Sequence, residues 1–144
     1  MKTMSLDLTP LENAIQKLEK SIEFSKSDIA TNDEEIFEQF RNSVIQCYEF
    51  TYELCWKMLK RQIELDAANA SLVDKMNFKE LMRDGAERGF IRDPVVWFQY
   101  RQDRNLASHT YDLEVAQAVY LRALSFLADA QHLCIKLKER NLLS

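Results

Sequence analysis

Two glycines and two prolines in 144 residues leave this chain almost without turn chemistry. A many-stranded fold needs more of both, so few and long elements are expected. The same scarcity closes off whole classes of function. Without a Gly-rich segment there is no Walker loop and no dinucleotide-binding turn to wrap a phosphate in backbone N–H groups. His-Glu-x-x-His is absent, as is any carboxylate cluster resembling a two-metal site. A kinase or polymerase fold is therefore excluded, and neither a cofactor nor a metal is expected.

Long apolar runs are missing too. None approaches the roughly 18 residues that cross a bilayer, and Met1 to Thr9 lacks the apolar core of a secretion signal. A cytoplasmic protein with no membrane partner is the expectation. The three cysteines, Cys47, Cys55 and Cys134, form no Cys-x-x-Cys pair and fall among apolar residues of a helical pattern. There a free thiol packs as a small hydrophobe, so neither disulfide nor zinc is expected. A formal net charge of −4 argues against coating nucleic acid by bulk electrostatics but leaves room for a local basic site.

What is present is helical periodicity over the length of one domain, residues 1–144. Thr9-Pro10-Leu11-Glu12 reads as a cap, a proline in the first turn and a capping-box glutamate. Leu11, Ile15, Leu18 and Ile22 then form one apolar stripe. After a turn at Ser25 to Asp33, Asn32-x-x-Glu35 caps a second helix with two stripes. One runs through Ile36, Phe40, Val44, Cys47, Thr51, Leu54 and Met58, and the other through Phe37, Tyr48, Tyr52, Cys55 and Leu59. So wide an apolar arc needs two partners, which makes a homodimer a reasonable expectation. Asn77-x-x-Glu80 opens a short helix ended by Gly89, Asp93-Pro94 opens a fourth, and a fifth runs from about Asp112 on Ala116, Val119, Ala123, Phe126, Ala130, Leu133 and Leu137. The fold class is all-α, an up-and-down four-helix-type bundle with one additional short helix.

One segment interrupts the apolar pattern with chemically competent residues: Arg101 to Asp112, containing Arg104, Asn105, Ser108, His109 and Tyr111. On an unbroken helix Arg104 and His109 would lie about 140° apart. If the helix ends between Leu106 and Ser108, ahead of a new cap at Thr110 or Asp112, the turn can fold His109 back toward Arg104 at the mouth between the fourth and fifth helices. Imidazole moves protons near neutral pH, and guanidinium grips phosphate with paired donors.

Arg104-x4-His109-x-Tyr111 on a helical scaffold resembles the Arg-x(4–6)-His motif of HEPN-domain proteins. Gln46 through Lys60, with Arg88-Gly89-Phe90-Ile91 and Trp97, is similar to the nucleotidyltransferase substrate-binding protein family over roughly positions 5 to 140. That resemblance implies a dimeric bundle like the helical domain of aminoglycoside nucleotidyltransferases, paired with a separate minimal nucleotidyltransferase chain. The sequence itself carries no Gly-Ser followed by spaced aspartates. Related HEPN proteins include ribonucleases of toxin–antitoxin systems, and in some of them the motif's tyrosine, Tyr111 here, is adenylylated by the partner.

Two functions follow. The first is a binding subunit that presents substrate or nucleotide to the partner beside the fourth and fifth helices, and it needs no chemistry from His109. The alternative is a metal-independent ribonuclease in which Arg104 and His109 are catalytic, Asn105, Ser108 and Arg101 hold the phosphate or orient the imidazole, and Tyr111 contacts RNA or accepts AMP. An Arg and a His near a helix end also serve as a cap and a surface hydrogen bond. Trp56 and Trp97, large aromatics at helical spacing, are read as core. Lys57, Lys60 and Arg61, with Arg83, Arg88, Arg92 and Arg101, form a basic strip only if the bundle gathers them. His132 is read as structural.

Overall fold

Leu11, Ile15, Leu18 and Ile22 are all buried in the computed structural model, which describes residues 6–142. The reading of the extreme N-terminus falls largely outside those residues. Seven α-helices follow one another among the described residues: α1 (Thr9–Ser25), α2 (Asp28–Thr31), α3 (Glu34–Asp66), α4 (Ala70–Asp74), α5 (Phe78–Glu87), α6 (Pro94–Leu106) and, after a 3₁₀ turn at Ala107–His109, α7 (Leu113–Leu142). The short α2 and α4 occupy stretches that the sequence pattern left as connections.

Cross-helix bonds fix the directions. The Thr51 hydroxyl donates to the Ala14 carbonyl, and Ser21 meets Ser43, so α1 and α3 run antiparallel. Ser25 and Tyr120 share a hydrogen bond of 2.7 Å at one end of α1, while the Leu6 N–H donates to Asn141 at the other, so α7 is also antiparallel to α1. Arg122 on Asp103 and Tyr100 on Asp129 set α6 against α7 in the opposite sense. The four longest helices thus alternate in direction. At roughly 1.5 Å per residue, the 33 residues of α3 span about 50 Å, enough to back the whole bundle.

The stripe of α7 enters the core intact, since Ala116, Val119, Ala123, Phe126, Ala130, Leu133 and Leu137 are all fully buried. Phe126 is the hub. Its ring lies 5.0 Å from those of Tyr48 and Tyr100 and 5.7 Å from that of Trp97, each nearly edge-on, the geometry that aromatic quadrupoles favour. On the second stripe of α3 Tyr48, Tyr52, Cys55 and Leu59 are buried outright and Phe37 is half-buried, whereas Cys47, Leu54 and Met58 on the first are half-exposed. The three cysteines are free thiols.

Helix starts correct the sequence reading in two places. The N–H of Thr9 is already held by Asp7 at 3.1 Å, so α1 begins at Thr9 and Leu8, not Thr9, is the flanking residue. Those Thr9 bonds hold the Asp7 carboxyl below its ordinary pKa. Asp33, not Asn32, caps α3, accepting from the N–H groups of Glu35 and Ile36, while Asn32 closes α2. The other signals hold. Asn77 and Glu80 form a reciprocal capping box, Gly89 takes φ +83° past the end of α5, and Asp93 and Asp112 cap α6 and α7.

His132 is half-buried on α7, and burial first, then the charges of Arg92 and Lys136, hold its pKa below the ordinary 6.5. Folding therefore favours the neutral ring. The associated stability is complete above pH 6.5 and declines as the pH falls toward the lowered value. Thermal melts between pH 7 and pH 5 should show wild type losing more stability than His132→Gln, and equal losses would refute the assignment.

Candidate functional site

The α6–α7 corner is built by the end of one amphipathic pattern and the cap of the next. Ala107 is buried and turns the backbone into a single 3₁₀ turn, and the carboxylate of Asp112 then collects the N–H groups of Glu114 and Val115 to start α7. The side chains between face solvent. Ser108 and His109 are exposed, and Tyr111 is 84% exposed, its ring 6.0 Å from that of His109. Leu106 and Leu113, both exposed, frame them. The arrangement offers an imidazole and a phenol to solvent beside unpartnered apolar surface.

Arg104 goes the other way. Its Nε lies 3.1 Å from Glu53 Oε1 on α3, at an angle outside hydrogen-bond geometry, so the Nε–H is buried without an aligned acceptor. The other oxygen of Glu53 accepts from Trp56 Nε1 at 3.2 Å and lies 3.8 Å from Lys57. One carboxylate thus holds both the arginine and the indole.

Beside this pair opens a cleft of about 390 Å³ between α3, α4, α5 and α6. Arg101, Arg104 and Asn105 line it from α6 and Tyr52, Glu53, Trp56 and Lys60 from α3, with Met76 and Phe78 opposite. The Arg101 guanidinium stacks over the Phe78 ring at 4.7 Å and forms no ion pair among the described residues. Tyr52 is 1% exposed, yet its hydroxyl has no hydrogen-bond partner, a state that costs about 1–3 kcal/mol. Burial pushes that hydroxyl's pKa well above the ordinary tyrosine value.

The expected mouth between the helices of Arg104 and His109 is therefore not where the cleft lies. Asp103 on Arg122 and Tyr100 on Asp129 close the α6–α7 seam, and Glu53 draws Arg104 toward α3. Within one chain Arg101, Arg104 and Asn105 share the cleft, whereas Ser108, His109 and Tyr111 stand outside it. Trp97 is core, 2% exposed, as its spacing indicated, but Trp56 is a half-buried cleft wall. The basic strip disperses: Arg83 stacks on Phe98, Arg88 pairs with Asp84 and Arg92 with Asp129, leaving Lys60 and Arg101 in the cleft. Sequence reasoning missed two residues of the cleft, Tyr52, read only as part of an apolar stripe, and Glu53. The only signal of Glu53 is a carboxylate inside an aromatic arc.

The model of the family described as nucleotidyltransferase substrate binding protein like matches residues 6–139. A Haemophilus influenzae protein named "Probable ribonuclease HepT" is 36% identical over 149 aligned positions covering 98% of each chain. A Haemophilus influenzae structure, described as revealing the fold of a substrate binding domain of a nucleotidyltransferase, superposes with a TM-score of 0.85 at 34% identity, over 92% of this chain and 99% of that one. A Thermus thermophilus protein, 22% identical, shares the fold with a TM-score of 0.66 over 88% of this chain and 98% of its own.

Proposed function

The chain belongs to the nucleotidyltransferase substrate binding protein-like family, and from that premise we propose that it is the RNA-cleaving member of a two-chain system whose other member is a minimal nucleotidyltransferase. The observation that carries this reading is the solvent-facing His109 beside Tyr111 on the α6–α7 corner. The name of the Haemophilus influenzae relative, which matches end to end, moves cleavage ahead of the purely binding role.

The chemistry needs a base, an acid and a cation. A 2′-hydroxyl attacks the adjacent phosphorus, its proton passes to an imidazole, and the 5′-oxygen leaves with a proton from an imidazolium, giving a 2′,3′-cyclic phosphate and a 5′-hydroxyl. Guanidinium groups neutralise the crowded phosphate between those steps. One chain supplies one His109, so the exposed apolar frame of Leu106 and Leu113 is the surface on which a second copy brings its own histidine and arginine. Each Arg104 is anchored on Glu53 rather than on His109 of its own chain, which fits a site completed across two chains. Sedimentation of only monomer at micromolar concentration would remove the shared site.

Tyr111 is the natural switch. Its exposed hydroxyl can attack the α-phosphorus of ATP on the partner, releasing pyrophosphate and a proton and leaving AMP beside the His109 ring. The test uses purified chain whose intact mass shows no AMP, incubated with mixed RNA in EDTA. Cleavage to cyclic-phosphate ends is expected, and intact RNA from an unmodified dimer would overturn the ribonuclease reading. The second reading, a binding subunit for the nucleotidyltransferase, is favoured by the cleft and would then stand alone.

A further inference from the structure

The cleft holds Arg101, Arg104 and Asn105 apart from the corner of Ser108, His109 and Tyr111, and it has a chemistry of its own. We propose that it binds one nucleotide unit, with the phosphate on Arg101 and Arg104 and the base or ribose hydrogen-bonded to the Tyr52 hydroxyl. The inference rests on the binding-subunit reading, which offered substrate or nucleotide without naming the residues that would hold it.

One polar group at the cleft lacks a partner: the Tyr52 hydroxyl is buried and unbonded. The Arg104 Nε–H, not aligned for a hydrogen bond, lies 3.1 Å from Glu53 in an ion pair. Buried polar groups are almost always satisfied, and exceptions mark places where something else supplies the bond. The lining carries three cations, Lys60, Arg101 and Arg104, against the single carboxylate of Glu53, on a chain whose net charge is −4. That inversion of sign favours an anion. Lys60 already leans on Asp74 at 3.4 Å, so Arg101, its guanidinium carbon 4.7 Å from the Phe78 ring centre and in no ion pair among the described residues, is the first phosphate donor. Inorganic phosphate alone would leave Trp56, Met76 and the Tyr52 hydroxyl unused, whereas a nucleotide adds a flat ring for the apolar wall and polar edges for the phenol. A volume of about 390 Å³ lies within the roughly 300–1,000 Å³ of small-molecule sites.

The source of the unit, a free mononucleotide or one nucleotide of an RNA strand, separates by titration. Unmodified full-length protein is titrated calorimetrically with AMP, CMP, ribose 5-phosphate and a non-cleavable 2′-O-methyl pentanucleotide. Saturable binding of a mononucleotide or of the pentamer is expected, with Arg101→Ala weakening it more than tenfold and Tyr52→Phe about tenfold. Tyr52→Phe should meanwhile melt no lower than wild type, because it deletes an unbonded buried hydroxyl, and a purely structural role for Tyr52 predicts no change in affinity. Binding of the pentamer but not of mononucleotides assigns the unit to RNA. Binding of none of these, affinities that both variants leave within twofold, or ribose 5-phosphate binding as tightly as AMP overturns the proposal. Nucleotide binding without RNA cleavage leaves the cleft standing and removes the ribonuclease, and cleavage with an empty cleft does the reverse.

Discussion

His109→Ala is expected to slow RNA cleavage in EDTA by a factor of roughly 10²–10⁴, the usual share of a positioned proton carrier, while leaving the melting temperature almost unchanged. The second half of that expectation comes from burial. His109 is exposed, its ring edge-on to that of Tyr111 at 6.0 Å, and surface substitutions of this kind cost within about 0.5 kcal/mol. Arg104→Lys should fall between wild type and the histidine variant, because it keeps a positive charge and loses the planar fork that grips phosphate. Initial rates on a fluorescent oligoribonucleotide measure both. A His109→Ala protein that retains more than a tenth of the wild-type rate would take the imidazole out of the mechanism.

Phe126→Ala should be the most damaging single truncation, at about 4 kcal/mol. The ring is fully buried and forms edge contacts with Tyr48, Trp97 and Tyr100, and a tilted one with Tyr52. Removing it leaves a void among four large side chains that cannot all collapse into it, and the aromatic pairs go as well. The melting temperature should drop by roughly 10–15 °C, as read by thermal and urea unfolding. Trp97 and Tyr100 seat α6 on α7, so the loss extends to the platform that carries Arg101 and Arg104. A cost under about 1.5 kcal/mol would mean that the cluster repacks and that Phe126 is not its hub.

Both expectations rest on features of different legibility. Phe126 could be placed from sequence because the stripe from Ala116 to Leu137 repeats at helical spacing over many turns, and every member is buried. The capping box at Asn77 and Glu80 was equally plain. At the start of α3, Asn32 and Asp33 are adjacent cap formers, and the choice between them depends on how α2 ends, which no periodicity records. The four residues of α2 and five of α4 are too short to announce themselves, since a first helical turn is costly and is held here by packing. Trp56 has the spacing of a core residue. It became a cleft wall because α4 and α5 stop short of covering it, a fact of tertiary arrangement. The motif from Arg101 to Tyr111 was visible as a group, but its division between cleft and corner was not. Glu53, fifty-one positions before Arg104, decides which way that arginine turns.

On the reading that the cleft takes a polyanion, the Glu53 carboxylate sets the two arginines of α6 apart. Arg104 carries its countercharge inside the fold, whereas Arg101 has none among the described residues. A phosphate of a polyanion that pairs with Arg101 releases its own condensed counterion into solution and gains the entropy of that release. One arriving at Arg104 displaces a carboxylate that stays attached to the chain, and the freed Glu53 draws a cation back from solution, which offsets the release. The two arginines sit one turn apart on the same helix, yet on that reading Arg101 would tie binding strength to ionic strength, and Arg104 would select for ligands whose geometry outcompetes Glu53.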